Sequence, residues 1–278
     1  MGIDTLIEDM NNLLDTGVKE TNPDFLDELG ENIKNSIKRQ METRNSNTNL
    51  RMSNIGKPDK QLWYQCKGYE GEPLLPQTRM KFMFGDLVEA LVLYLVKEAG
   101  HEVTHEQHEI EVDDIKGHLD CHIDGVVVDV KSTSAYGFKK FKNGTLSEDD
   151  PFGYIAQISG YVHGSKDASE GGFLALDKQS GATTYMPVAE MDMINVEERV
   201  QHMKEVVAQE EPPERCYESV PDGKSGNMKL GINCSYCPYK WDCWPELRLF
   251  LYSNGPRYLT HVEREPDVIE VEKNNEIQ

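Results

Sequence analysis

Apolar residues recur at helical spacing over 3–18 and again over 24–42, with Asn22-Pro23-Asp24 between them as a stop-and-cap signal. Two amphipathic helices are expected there. The polar stretch 43–60, rich in Asn, Ser and Gly, reads as a linker. From Arg79 to Ala99 the chain is mostly apolar and ends on Gly100, the pattern of a long helix with a glycine stop. Strand-like runs follow near 102–112, 116–123 and 126–133. A helix over 151–164, strands near 171–177 and 182–188, and a helix over 192–209 complete the pattern. This order of helix, three strands, helix, strands, helix predicts a mixed α/β sheet. After Pro212-Pro213 the periodicity lapses, and 214–246 reads as a cysteine-rich, loop-rich module.

The densest chemistry lies in Gly117 to Lys131. Asp124-Gly125 stands between two β-prone runs and predicts a two-residue type I′ turn. That turn fixes a register: Ile123 faces Val126, His122 faces Val127, Cys121 faces Val128 and Asp120 faces Asp129. Alternation then gathers Leu119, Cys121, Ile123, Val126, Val128 and Val130 on one apolar face, the core side. His118, Asp120, His122, Val127, Asp129 and Lys131 share the other. Two opposed carboxylates repel, and the hard divalent cations Mg²⁺ or Mn²⁺ would relieve that repulsion with oxygen ligands. Lys131 on the same face is placed to hold an attacking water or balance charge at a phosphorus centre. The plain alternative is a hairpin with a solvated charged face.

Composition brings one conflict. Hydrophobic residues make up 38% and charged residues 28%, as in a globular protein. The net charge of −20 by itself opposes nucleic-acid binding. Carboxylates of a metal site belong to that count, and acidic residues crowd the two ends, with 263–278 expected to be a disordered tail. The longest apolar run, Leu87 to Val96, is interrupted by Glu89 and too short for a membrane span. With no signal-peptide layout at the N-terminus, the expected location is cytoplasmic, where thiols stay reduced and clustered cysteines bind metal.

Asp120, followed by Asp129-Val130-Lys131, resembles the paired motifs of the PD-(D/E)XK nucleases, with Leu119 where the family name has proline. Gly117-x-x-Asp120 is similar to the form found in the RecB-like branch. Gln157-Ile158-Ser159-Gly160-Tyr161 resembles that branch's Q-x-x-x-Y motif, and Gly85 to Glu89 its G-x-x-x-H/E helix motif. The resemblance covers roughly residues 85–161. It implies a restriction-endonuclease-like αβββαβ core over 61–210, behind N-terminal helices and linker over 1–60. It further implies Asp120 and Asp129 as metal ligands, with Glu89 completing the shell. Lys131 would act on the water, and Gln157 and Tyr161 would orient the substrate. The expected activity is a metal-dependent DNA exonuclease acting where there are single-stranded regions or free ends. A structure-specific endonuclease and a non-cleaving nucleic-acid-binding adaptor are the alternatives.

Six cysteines occur, and Cys234-x-x-Cys237 followed by Cys243 is spaced tightly enough to bind metal. Three thiolates need a fourth ligand. RecB-like relatives with an iron–sulfur cluster carry a lone cysteine upstream of the core, and the resemblance puts Cys66 in that place, with Cys216 as its rival. The resemblance implies a [4Fe–4S] cluster, in a module over 211–262, joined to residues before the core; Zn²⁺ is the alternative. Cys121 falls on the apolar hairpin face and reads as a core residue. Gly223-Lys224-Ser225 lacks the earlier glycine of a phosphate-binding loop, Glu218 standing there, so no ATP site is expected. Lys139, Lys140 and Lys142 around Phe138 and Phe141 form a basic–aromatic patch suited to a DNA backbone, with a solvated loop as the equal alternative. His118 and His122 flank Asp120 and are read as groove-lining residues rather than ligands.

Overall fold

The structure is a computed structural model that describes residues 2–42 and 48–271. Four helices come first: α1 (Leu6–Thr16), α2 (Pro23–Met41), α3 (Asp59–Cys66) and α4 (Pro76–Glu98). Strands β1 (Val103–Thr104), β2 (Glu109–Val112), β3 (Ile115–His118), β4 (Cys121–Ile123) and β5 (Val126–Thr133) follow. Next are α5 (Ala135–Asn143), α6 (Tyr154–Gly164), β6 (Gly171–Asp177), β7 (Thr183–Pro187) and α7 (Val196–Ala208). The remainder holds β8 (Val220–Pro221), β9 (Met228–Lys229), α8 (Ile232–Ser235), α9 (Lys240–Cys243), β10 (Arg248–Tyr252), β11 (Gly255–His261) and β12 (Ile269–Val271). Two compact units result. The first takes the N-terminal helices, Leu50–Gly56 and Leu74–His202; the second takes Lys57–Pro73 and the chain from Met203 onward.

The first unit is a mixed α/β fold on a five-stranded sheet of order β1-β4-β5-β6-β7. Strand β5 pairs antiparallel with β4 and parallel with β6, and β6 pairs antiparallel with β7. β5 is central because its Val126-Val127-Val128 and Val130 side chains are apolar on both sides, and all four are buried. Leu6 and Met10 of α1 and Val92, Leu93 and Val96 of α4 pack on one face, against Cys121, Ile123, Val126, Val128 and Val130. The other face meets α6, whose Ile158 and Tyr161 are buried.

The hairpin forms with the expected turn. Asp124 and Gly125 have φ of 49° and 84°, the two positive values a type I′ turn requires. Ile123 pairs with Val126, His122 with Val127 and Cys121 with Val128. The expected fourth pair, Asp120 opposite Asp129, is not a ladder pair. Strand β4 begins at Cys121, and Asp120 instead uses its carboxylate, accepting the Val130 N–H at 2.9 Å. The turn is also tied to the helical layer, since Asp124 Oδ2 lies 2.7 Å from Nδ1 of the buried His101, whose Nε2 is 3.3 Å from Asp9 Oδ2.

The expected linker over 43–60 is not one, although 43–47 lies outside the described residues. Met52 and Ile55 are 0% and 1% exposed. Met52 is seated between two glycines: a Cβ on Gly117 would stand 2.5 Å from its Cβ, and one on Gly160 2.5 Å from its Sδ. Close approach of this segment to β3 and α6 therefore requires both positions to lack a side chain.

The second unit has more regular structure than the sequence suggested. Its five strands form an antiparallel sheet of order β12-β10-β11-β9-β8. Tyr252 pairs with Gly255 across Ser253-Asn254. The acidic tail is likewise not solvated from its start: Ile269–Val271 pairs with β10, and Arg248 bonds Glu265 at 2.6 Å and Glu270 at 2.7 Å. Residues 272–278 lie outside the described part. Helix α3 docks through Trp63, whose Nε1 donates to Gln209 O at 3.0 Å, and Tyr64, stacked on Tyr239 at 5.6 Å. Among the described residues no helix is long and apolar enough to cross a membrane.

Candidate active site and cysteine pocket

Four of the residues singled out by sequence come together where β4, β5 and α4 meet. Asp129 sits on β5 at 2% exposure, and Lys131, two residues on and so on the same side, makes an ion pair with its Oδ2. That buried oxygen accepts no well-formed hydrogen bond. Asp120 lies beside them, held by the Val130 N–H. Glu89 approaches from α4, and Gln107 Nε2 donates to its Oε1 at 2.9 Å. Gln107 is fixed by its own backbone, whose N–H bonds Asp120 O at 2.9 Å, in a turn where His105 and Gln107 both have positive φ.

The electrostatics follow from burying like charges together. Burial first, then Asp129 and Glu89, push the Asp120 carboxyl well above its ordinary range. Burial, Asp129 and Asp86 push Glu89 up to about 7. For Lys131 burial opposes the charge, but Asp129 and Asp120 outweigh it and its pKa rises, so the ammonium is retained. Three carboxylates against one ammonium leave the cluster short of positive charge.

Hard carboxylate oxygens crowded around a single ammonium are the donor chemistry of a divalent-cation site. Convergence is incomplete: among the described residues no three His, Cys, Asp or Glu groups come close enough to hold one metal ion. Lys131 occupies the place beside Asp129 for which such a cation would compete.

The Gln157–Tyr161 pair is found on one face of α6, as the spacing implied. Its members bond each other, Gln157 Nε2 donating to Tyr161 Oη at 2.8 Å, and Tyr161 is 3% exposed. Burial raises the Tyr161 phenol, with Asp129 and Asp120 adding to the effect. A third residue of that face went unremarked in the sequence. Tyr154, three positions before Gln157, places its ring 4.7 Å from Lys131 Nζ, in cation–π range. The i, i+3, i+7 spacing of Tyr154, Gln157 and Tyr161 is the signal that would have found it.

The two aromatics of the expected basic–aromatic patch are not on the surface: Phe138 and Phe141 are buried on the inner side of α5, Lys140 bonds the Asp149 backbone carbonyl at 2.7 Å, and Lys139 and Lys142 are exposed. His122 is 3% exposed, packs its ring at a tilt against His105 with centroids 4.4 Å apart and lies 3.2 Å from Ser165 Oγ, while His118 is exposed.

In the second unit a pocket of about 40 Å³ is lined by Cys216, Cys234, Cys237 and Cys243, with Tyr64 and Trp244. Cys66, the last residue of α3, is half-buried and is not among the lining residues. Soft sulfur donors facing one small cavity are the chemistry of a thiolate-held metal centre.

No protein family and no curated protein matches this sequence. Among solved structures the chain is similar to SSO0001, at 13% identity and a TM-score of 0.41, over 77% of this chain and 95% of that one.

Proposed function

We propose that this chain is a divalent-metal-dependent deoxyribonuclease, a RecB-like member of the PD-(D/E)XK group, that hydrolyses DNA phosphodiester bonds from free ends. One observation carries the reading. An Asp–x–Lys pair on a buried central strand, Asp129 and Lys131, is joined by two further carboxylates, Asp120 and Glu89, whose carboxyls burial and the neighbouring acids push upward. A merely structural strand has little reason to gather one buried and two half-buried acids around a single lysine.

Asp120, Asp129 and Glu89 would hold Mg²⁺ or Mn²⁺, which when bound supplies Lewis acidity to the scissile phosphate and lowers the pKa of water. The chain's own groups do the rest. Lys131 Nζ keeps its charge and donates hydrogen bonds to an incoming water or to a phosphoryl oxygen as negative charge builds there. Tyr154 holds the Lys131 ammonium over its ring, limiting its rotamers. Gln157 and Tyr161 form a polar pair behind the acids that fixes the α6 side of the cleft. In the second unit, the cysteine pocket is read as the seat of a [4Fe–4S] cluster.

The test is digestion of end-labelled single- and double-stranded DNA with Mg²⁺ or Mn²⁺, comparing the native protein with Lys131→Ala. Metal-dependent loss of label that falls at least ~100-fold in the variant supports the reading, and the product ladder gives polarity. If the native protein cuts no substrate with either metal, a non-cleaving nucleic-acid-binding adaptor takes its place.

A further inference from the structure

The four cysteines that line the pocket are not the four that the family layout suggests, and the difference bears on what the pocket holds. Cys216 opens on it together with Cys234, Cys237 and Cys243, whereas Cys66 does not.

The pocket also presents hydrogen-bond donors to its sulfurs. Trp244 is 5% exposed and lines the cavity beside Cys234, toward whose sulfur its indole N–H is directed. The Lys60 N–H already points at Cys216 Sγ, at 3.5 Å. The Arg215 guanidinium lies 3.8 Å over the Trp244 ring and donates to Cys243 O at 3.1 Å. N–H groups and a cation around sulfur are what stabilise an anionic cluster and tune its potential.

We propose that Cys216, Cys234, Cys237 and Cys243 hold an iron–sulfur cluster, with Cys66 outside the ligand set. The proposal rests on the cluster part of the reading above and is independent of whether the chain cuts DNA. It makes the centre local to the C-terminal segment, with 26 residues, 217 to 242, inside the outermost ligands.

The experiment is anaerobic purification of the native chain, Cys216→Ser and Cys66→Ser from iron-supplemented cells. Iron, acid-labile sulfide and zinc per chain are measured with absorbance near ~400 nm, and circular dichroism checks the fold. The native protein and Cys66→Ser should be brown with matching iron and sulfide; Cys216→Ser should lose at least about four-fifths of both. In parallel, iodoacetamide labelling of the native protein maps its thiols without any substitution. Cys216, which is exposed in the structure, should be protected until a chelator removes the iron, and Cys66 should label throughout. Loss of iron in Cys66→Ser, retention in Cys216→Ser, early labelling of Cys216, or a colourless native protein with zinc or no metal would each overturn the proposal. None of these touches the nuclease reading, which stands or falls on Lys131.

Discussion

Glu89 should make this protein less stable as it ionises, and only when metal is absent. Its carboxyl is displaced from an ordinary 4.5 to about 7, chiefly by burial and then by Asp129 and Asp86. Each pH unit of displacement is worth about 1.4 kcal/mol, so ionising Glu89 within the fold costs about 3 kcal/mol. The sign follows from proton counts. Between pH 4.5 and 7 the folded chain holds a proton that the unfolded chain has released, so stability falls as pH rises through this window, and the full penalty is present above it. Glu89→Gln does not titrate and keeps a group able to meet Gln107. Urea unfolding followed by circular dichroism, in EDTA, from pH 4.5 to 7.5 should therefore show the native protein losing about 3 kcal/mol relative to the variant. Burial and Asp129 shift Asp120 in both proteins and Glu89 does so only in the native one, so the difference reports Glu89 together with its effect on Asp120. Millimolar Mg²⁺ should shrink the difference, because a cation stabilises the ionised form. Parallel pH curves for native and Glu89→Gln in EDTA would refute the reasoning, since they would mean that Glu89 is solvated and does not share a site with the aspartates.

Three other expectations follow from the packing. Tyr154→Ala should lower kcat about 3- to 30-fold with little change in KM, the range of a cation–π contact of about 0.5–2 kcal/mol, while Tyr154→Phe stays near native; DNA digestion kinetics separate them. Met52→Ala should cost about 2–5 kcal/mol in urea unfolding, because a side chain at 0% exposure leaves a cavity between Gly117 and Gly160. A result near zero would mean that residues 50–56 are loosely held. Gly125→Val should destabilise by about 1–2 kcal/mol, since a β-branched residue must adopt φ near 84°, and thermal melting will register it.

What the sequence conveyed depended on whether the determining contacts were local. The turn at Asp124-Gly125 and three rungs of its register were legible because turn chemistry and a period of two act within a few residues. Glu89 was legible because a lone carboxylate in an apolar run is expensive wherever the helix goes. Met52 was not, because its burial depends on glycines 65 and 108 positions away, and the polar average of 43–60 conceals one methionine and one isoleucine. Phe138 and Phe141 were misjudged for a different reason. Read as a loop, they seem to mingle with lysines; read as a helix, i and i+3 share one face and the lysines face solvent. In the C-terminal unit the cysteines drew attention from the β-prone run Phe250-Leu251-Tyr252, which turns back through Ser253-Asn254 to pair with the strand from Gly255. Spacing alone could not choose between Cys66 and Cys216, since ligands distant in sequence are chosen by tertiary placement.

The hydrogen bond from Val130 N–H to the Asp120 carboxylate has a practical bearing on how inactive forms of this protein should be made. Because that side chain stands in for a missing rung between β4 and β5, Asp120→Ala deletes an electrostatic group and unfastens the central strand in one step. A silent phenotype from that substitution would not separate lost chemistry from lost fold. Asp120→Asn, which keeps an oxygen acceptor for Val130 N–H, is the cleaner knockout, and Lys131→Ala, which removes a side chain and leaves the backbone pairing with Ala175 in place, is its natural companion in any complementation experiment.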